Sequence, residues 1–577
     1  MSTEALVEKL QKAIDAKRLW KHVEWASHVR RDTGGPGEEK MVKYIIDELA
    51  QDEVPVKIHT FDAYLSYPRQ ATLEVRPEGE EAFQLMCLTH SFARSTGPNG
   101  LIGRAKIIGE GDLDLAAGRV AVVDGVATPI QVLDLDRAGA QAIIFVNPGP
   151  VIHHMIETTI WGGIPTPSQV DRLPGIPVVS VNNPDGERLK ALLRKGPVEV
   201  KLVTKVDTGW YTVKLPEVVI PGTDDSADFI LVGGHYCSWE VGITDNATGV
   251  AVLLELARIL WQERNHLKRS VRIAWWPGHS HGRYAGSTWY ADTFFTELRK
   301  HCILYHNIDS PGARGATQYI LRHTSAEVED FARRIVQTYT GQQDPPVHRP
   351  TRAADQSFLN MGIPSCSLYS FLPDGHPDKR LWTGGSASGW WWHTEFDTLD
   401  KADPAILEKD CRLSAAFIAL LANTEVLPFD FKLLAAEIAE TIKYLEQEIG
   451  TEVDLRSLVE LAEELVQAAE DLSRKPVAVD PAKVARRNYV LRKISQSLNP
   501  VVFGLEGPYG HDVAERVPQM TAHKGAKMDG LSRGLELKYL RGTDRYGFLK
   551  VQTVRQINRA TEALEGALEL LRSELQQ

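Results

Sequence analysis

The chain has little of what would give it a simple covalent or electrostatic identity. Its five cysteines, Cys87, Cys237, Cys302, Cys366 and Cys411, are odd in number, widely spaced and without a CxxC pair. That usage excludes a disulfide framework and fits a reducing compartment. No run approaches the roughly 18 apolar residues of a membrane-spanning helix. The opening MSTEALVEKLQKAIDAKRLW is charged and amphipathic, without a signal core. A cytoplasmic location and no membrane partner are therefore expected. A net positive charge is also lacking. The formal net charge of −11 is the reverse of what neutralising phosphates requires, so nucleic acid is not an expected partner. Internal repeats and low-complexity tracts are lacking too.

What is present is length and changing texture. A chain of 577 residues exceeds one ordinary core and implies roughly two to four domains. Residues 1–70 begin helically, with 37-GEEKMVKYIIDELAQD-52 as the clearest segment. Residues 71–210 carry short β-branched runs broken by Gly and Pro, such as 119-RVAVVDG-125, 142-AIIFVNPG-149 and 176-IPVVSVNN-183. They read as a compact inserted module, in which 153-HHMIETTIWGGIPTP-167 is a loop or lid. Residues 211–425 alternate strand-like runs with helical ones, including the apolar 249-GVAVLLELARILWQER-264. That alternation predicts an α/β domain with a mostly parallel central sheet, completed by residues 1–70. Residues 426–577 carry long amphipathic helices, 433–449, 455–472 and 555–575, a helical domain of the kind that often forms an oligomer interface.

Ligands of open α/β sheets collect beyond the carboxyl ends of the strands. After FILV come His235 and Asp245; after RIAWW comes 278-GHSH-281; after ILYHN comes Asp309; after a tryptophan triplet comes His393. Imidazoles and carboxylates are the ligand types that hold zinc and similar divalent ions. Singly they have ordinary alternatives. Asp245 could cap a helix and Asp309 could serve a turn. Together, each at a strand exit, they point to a metal site. A glycine-rich turn at 109-GEGD-112 has no phosphate-loop pattern around it, and 504-GLEGPYGHDVAERVPQM-520, with His511 and Asp512, reads as an inter-helix loop.

The segment 233-GGHYCSWEVGITDNATGVAVLLELARIL-260 resembles the signature of the co-catalytic zinc aminopeptidases. The whole layout is similar to the branch containing glutamate carboxypeptidase II and the transferrin receptor. The resemblance implies a peptidase-like domain, a protease-associated insert around 115–149 and a helical dimerisation domain, hence a homodimer. It implies that Asp245 bridges two ions, that His235 and Asp309 complete one site, and that His393 belongs to the other. The family places a Glu-Glu pair next, the first as general base and the second as ligand. Counting back from 286-GS-287, those places hold Ser280 and His281.

His281 can replace a carboxylate ligand through a neutral ring nitrogen, but Ser280 cannot replace a base. A positioned general base is worth roughly 10²–10⁴-fold, so its loss would leave a slow hydrolase or require a relocated base. His279, Glu240, Glu395 and Tyr236 are the neighbouring candidates. If 279–281 is an extended strand end, His279 and His281 face the same side. Asp245, Asp309 and three imidazoles carry two formal negatives, one fewer than with a glutamate at 281, which leaves one or two ions open. Zinc is expected first, with Mn, Fe or Co as alternatives. Trp239 and Trp392 are candidate substrate contacts for an aromatic, apolar or cationic group. Asp355 suits a substrate amine, Arg283 and Arg352 a carboxylate, and Glu395 borders the site. The function expected is a metal-dependent hydrolase of amide or peptide bonds, aminopeptidase-like, acting on a small molecule or short peptide. The alternatives are a non-peptidase metalloenzyme for a small molecule and a catalytically dead binding protein on the same frame.

Overall fold

The run FILVGGH is buried at every position, and the sheet is built around it. A strand covered on both faces reads as continuously apolar rather than alternating, because helices occupy both sides. The computed structural model describes residues 1–224, 226–476, 480–514 and 526–576. Its strands are β1 (Lys57–Pro77), β2 (Phe83–Leu85), β3 (Leu88–Thr89), β4 (Leu101–Ile107), β5 (Val120–Asp124), β6 (Ala142–Val146) and β7 (Val178–Val181). They continue with β8 (Val198–Ile220), β9 (Phe229–His235), β10 (Ser270–Trp276), β11 (Cys302–Asn307), β12 (Gln318–Arg322) and β13 (Ser365–Phe371). β9 lies parallel to β10 and β11, and β11 parallel to β13. Antiparallel strands flank this parallel centre, β12 beside β13 and β8 beside β10. The result is a mixed α/β fold with a large central sheet and a helical C-terminal region.

β1 and β8 form a long antiparallel ribbon that pairs from Lys57↔Glu217 to Pro77↔Val198. The far end of β8 pairs with β4, which continues through β5, β6 and β7, so one hydrogen-bonded sheet runs through both parts of the chain. The boundaries expected at 70/71 and 210/211 fall inside this ribbon. The sequence texture changes there, but hydrogen bonding does not stop. The apolar segment near 249 forms the helix Thr248–Gln262, buried continuously from Thr248 to Leu260.

The C-terminal helices are Phe431–Ile449, Arg456–Arg474, Pro481–Phe503 and Asp544–Leu575. In Arg456–Arg474 the buried Leu458, Ala462, Leu465, Ala469 and Leu472 recur at three and four, the spacing of one helix face. The helix Pro481–Phe503 has no counterpart among the sequence expectations. Its first half, PAKVARRNY, is polar, and its buried side chains, among them Val490, Leu491, Ile494 and Leu498, begin only at Asn488. Asp480 caps its start by accepting from the Lys483 amide. The last helix begins eleven residues before the expected 555, capped by Thr543. A buried link joins this region to the sheet domain: Glu327 accepts from Ser495 Oγ (2.9 Å) and Asn499 Nδ2 (2.8 Å). No helix among the described residues is long and apolar enough to cross a membrane.

Arg31, fully buried, ties the N-terminal segment to the loop after β9. Its guanidinium donates to five carbonyls, those of Tyr236, Ala26, Val29, Val241 and Gly242, at 2.8–3.3 Å. Removing the fork would strand these acceptors, each at a cost of about 1–3 kcal/mol where water cannot replace the donor. Arg31→Met is expected to lower unfolding stability by on the order of 3 kcal/mol or more. The check is the urea midpoint of the variant against the parent.

Candidate metal centre

Three parallel strands end side by side, and the residues at their exits build the site. His235 is the last residue of β9. Its Nδ1 lies 2.9 Å from the Cys237 carbonyl, which makes Nδ1 the protonated nitrogen and leaves Nε2 as the free one. That Nε2 is buried and has no hydrogen bond of acceptable direction, although Asp245 Oδ1 is 2.9 Å away and Asp309 Oδ1 3.5 Å. The three groups converge without an N–H aimed at an oxygen. Ligand atoms of His235, Asp245 and Asp309 lie within 4.8 Å of one another, the spacing of donors around a shared cation. His393 approaches from the other side, its Nε2 3.2 Å from Asp245 Oδ2. Its Nδ1 donates to the His154 carbonyl at 2.8 Å, so its free nitrogen also faces Asp245.

Burial opposes ionisation of Asp245, but the imidazoles of His235 and His393 beside it prevail and hold it well below the usual carboxylate range. The helix-capping alternative for Asp245 does not hold. The cap of Thr248–Gln262 is Ala247, without a side-chain bond, and the Asp245 carboxylate turns to the histidines. Asp309 comes two residues after the end of β11 and is only slightly exposed.

Two residues not anticipated from the sequence build this arrangement. Asn246 uses its whole hydrogen-bonding capacity. Its Nδ2 donates to the carbonyls of His235 (3.1 Å) and Ile308 (3.0 Å), and its Oδ1 accepts from Ser310 (2.9 Å) and Gly249 (3.2 Å). It therefore binds the exits of β9 and β11 to the helix start. Asp397, also buried, accepts from the amides of Thr244 (2.9 Å) and Asp245 (3.0 Å). The only sequence signal for either was the position of a polar residue beside a proposed ligand.

Residues 279–282 form one helical turn, not an extended end. Positions two apart on a helix do not share a face, so His279 and His281 separate. The His279 ring stacks on that of His235 at 3.9 Å, and its Nδ1 lies 2.8 Å from Asp355 Oδ2. His281 does not join the converging group. It sits between Trp239 (4.5 Å) and Tyr67 (5.1 Å), with its Nε2 3.8 Å from Asp32. Burial pushes it down to about 4, so it is neutral at pH 7.

The remaining expected residues divide. Ser280 is buried. Glu240 accepts from Arg30 (2.8 Å) and meets His154 (3.3 Å); the His154 contact leads in holding it below the ordinary range, so it is a paired carboxylate rather than a base. Asp355 is not open to a substrate amine, because one oxygen meets His279 and the other accepts from Ser287 at 2.9 Å. Trp392 stacks on His393 at 3.8 Å, and Trp239 stacks on His154 at 4.8 Å, so both line the site. Trp391 is instead a buried anchor bonded to Thr244. Arg283 is buried near the site wall, and Glu395 is exposed. Tyr236 is buried, its hydroxyl on the Lys214 carbonyl. Arg352 pairs with Asp512 and Asp529 at a domain joint, and His511 meets Asp292. Residues 515–520 of the 504–520 loop lie outside the described residues.

The inserted segment also reaches the site through the stretch that the sequence marks as a loop or lid. The His154 amide donates to the His393 carbonyl (2.9 Å), that of Glu157 to Ser91 (2.9 Å), and that of Gly162 to Arg283 (2.8 Å). Residues 153–163 thus form a roof spanning two loops that carry site residues.

The chain has relatives among known proteins. A probable glutamate carboxypeptidase of Arabidopsis thaliana is 23% identical over 294 residues, 46% of this chain and 41% of the relative. An aminopeptidase of Rattus norvegicus is 22% identical over 397 residues, 60% of this chain and 51% of the relative. The chain thus matches only about half, or less, of these relatives' lengths. Among solved structures, a peptidase M28 precursor from Shewanella amazonensis has a TM-score of 0.60 at 18% identity, covering 74% of this chain and 98% of its own. A zinc aminopeptidase from Bacillus subtilis has a TM-score of 0.55 at 21% identity, covering 70% of this chain and 95% of its own. These neighbours share the fold. Residues 218–418, which hold His235, Asp245, His279, Asp309 and His393, match the model of Peptidase family M28.

Proposed function

We propose that this protein is a metal-dependent hydrolase of peptide-type amide bonds, aminopeptidase-like, acting on small substrates. The observation that carries the reading is the convergence of His235, Asp245 and Asp309, with His393 on the second oxygen of Asp245. The residues fit a divalent cation. Two imidazoles have their outward nitrogens fixed by carbonyls, and the buried Nε2 of His235 has no satisfactory protein partner. Asp245 offers one oxygen to each side, which suits a second ion at His393. The nitrogen and carboxylate donor set favours zinc, the metal of the Bacillus subtilis neighbour. Bound there, the ion would polarise a substrate carbonyl and acidify water.

The chain's own residues supply the rest. Asp355 fixes Nδ1 of His279 as the donor, so Nε2 is left to accept a proton. Stacking on His235 holds that ring beside the converging ligands. His279 with Asp355 thus takes the proton-transfer role that the resemblance assigns to a glutamate at position 280. The roof of residues 153–163 and the rings of Trp239 and Trp392 flank the converging ligands, which suits a small substrate.

Metal analysis of the purified protein is expected to find stoichiometric divalent metal, lost in Asp245→Asn and in His235→Ala. Protein that carries its metal yet cleaves none of a panel of dipeptides, aminoacyl anilides and small amides would sink the hydrolase reading. His279→Ala is expected to lower kcat by roughly 10²–10⁴-fold with metal content kept. Asp355→Asn should cost about 10–100-fold, as the loss of a group that orients another does. Asn246→Asp sets a carboxylate oxygen against two carbonyls, and its expected readout is reduced metal content together with a lower melting temperature.

A further inference from the structure

A row of buried side chains, joined by hydrogen bonds without a gap, starts in the roof and ends at His279. The indole Nε1 of Trp161 donates to Ser357 Oγ at 2.9 Å. Ser357 Oγ lies 2.8 Å from Ser287 Oγ, which donates to Asp355 Oδ1 at 2.9 Å. The other oxygen of Asp355 is the one 2.8 Å from His279 Nδ1. None of these residues is more than 8% exposed, so water has little access to compete for the bonds.

The two ends fix the direction of every proton between them. An indole N–H can only donate, and a carboxylate can only accept. Ser357 therefore accepts from the indole and gives its single O–H to Ser287, and Ser287 gives its own to Asp355. The alternative acceptors are farther, Thr288 Oγ1 at 3.3 Å from Ser357 and the Tyr284 carbonyl at 3.2 Å from Ser287. Polarised one way, each bond in such a row reinforces the next.

The roof is shaped to deliver this one N–H. Trp161 opens 161-WGG-163, and both glycines have positive φ, 70° and 71°. A Cβ at Gly162 would stand 2.7 Å from Thr288 Cγ2, and one at Gly163 2.9 Å from the Phe92 ring. The backbone thus settles against the helix Ala285–Thr293, which carries Ser287 and Thr288, only where side chains are absent. Burial alone explains why the indole N–H has a partner. It does not explain why that partner leads through two serines to the group behind His279.

We propose that Trp161 is a positioning residue for proton transfer, holding Asp355 through Ser357 and Ser287 and thereby holding the ring of His279. The inserted segment acts on the proton step in this way without touching the substrate. The consequence for turnover rests on the proposed hydrolase reading; the consequence for the bond between Asp355 and His279 does not.

Trp161→Phe removes the N–H and keeps a ring against Tyr284, on which Trp161 packs at 4.5 Å. Ser357→Ala breaks the row at its second member with the tryptophan in place. Each is expected to lower kcat about 3–10-fold with KM unchanged, less than the loss of the direct partner Asp355 because each stands farther back. In an Asp355→Asn background neither should cost anything further. Fully additive losses in that background, or a raised KM with kcat unchanged, overturn the relay. The second readout is solvent exchange of the Nδ1 proton of His279, followed by NMR in metal-loaded protein isotope-labelled at histidine and assigned by its loss in His279→Gln. The proton is expected to be protected in the parent and to exchange several-fold faster in Trp161→Phe and Ser357→Ala. A proton unprotected in the parent, or exchange unchanged in both variants, overturns the relay. Faster exchange in protein that cleaves nothing keeps the relay and removes the hydrolase reading. Unchanged exchange in an active enzyme does the opposite.

Discussion

Two buried carboxylates, Asp245 and Asp309, are held close to one imidazole, and this is the arrangement the rest of the structure serves. Two unit negative charges at that spacing repel by on the order of 3–4 kcal/mol even at an effective dielectric constant near 20. A fold does not hold such a group together without a scaffold. Here the carboxamide of Asn246 ties two strand exits to a helix start, and Asp397 grips the amides beside Asp245. The backbone that carries the charges is thus fixed by side chains outside the converging group. A cation is then favoured by geometry already in place, rather than by closing a loose loop around it.

The same logic explains why the inserted segment is part of the site. The ribbon of β1 and β8 makes the insert continuous with the central sheet, so residues 153–163 can be set over the ligand loops as a stiff element. The His154 carbonyl orients His393, and the His154 ring covers Trp239. One of the rings facing Asp245 is thus held by a residue far away in sequence. The roof also excludes water from part of the wall, which strengthens electrostatic interactions beneath it.

How far the sequence speaks differs from residue to residue. His235, Asp245, Asp309 and His393 were legible because each comes after a strand or a distinctive aromatic run, and a parallel sheet brings strand ends together whatever its other details. The apolar helix near 249 and the amphipathic C-terminal helices were legible for a similar reason, a periodicity local to the chain. The helix Pro481–Phe503 was not, because its first half is polar and only its later turns are buried. The choice between His279 and His281 was not either. It turned on whether three residues are extended or helical, and a short loop between Pro277 and Arg283 carries no period to decide it.

By itself, then, the sequence determined the layered α/β architecture and the row of candidate ligands, since both rest on local composition and spacing, whereas reading Ser280 and His281 in the place of a glutamate pair rests on the family resemblance. Only the tertiary structure decided which histidine stacks on His235, that Asp355 stands behind a ring rather than before a substrate, and that the His154 carbonyl of the insert orients His393. Those are relations between residues 44 to 239 apart in the chain, set by where the β1–β8 ribbon lays the insert and by how one turn of helix points. No pattern within a segment encodes them, because direction in space is fixed by packing against partners the segment does not contain.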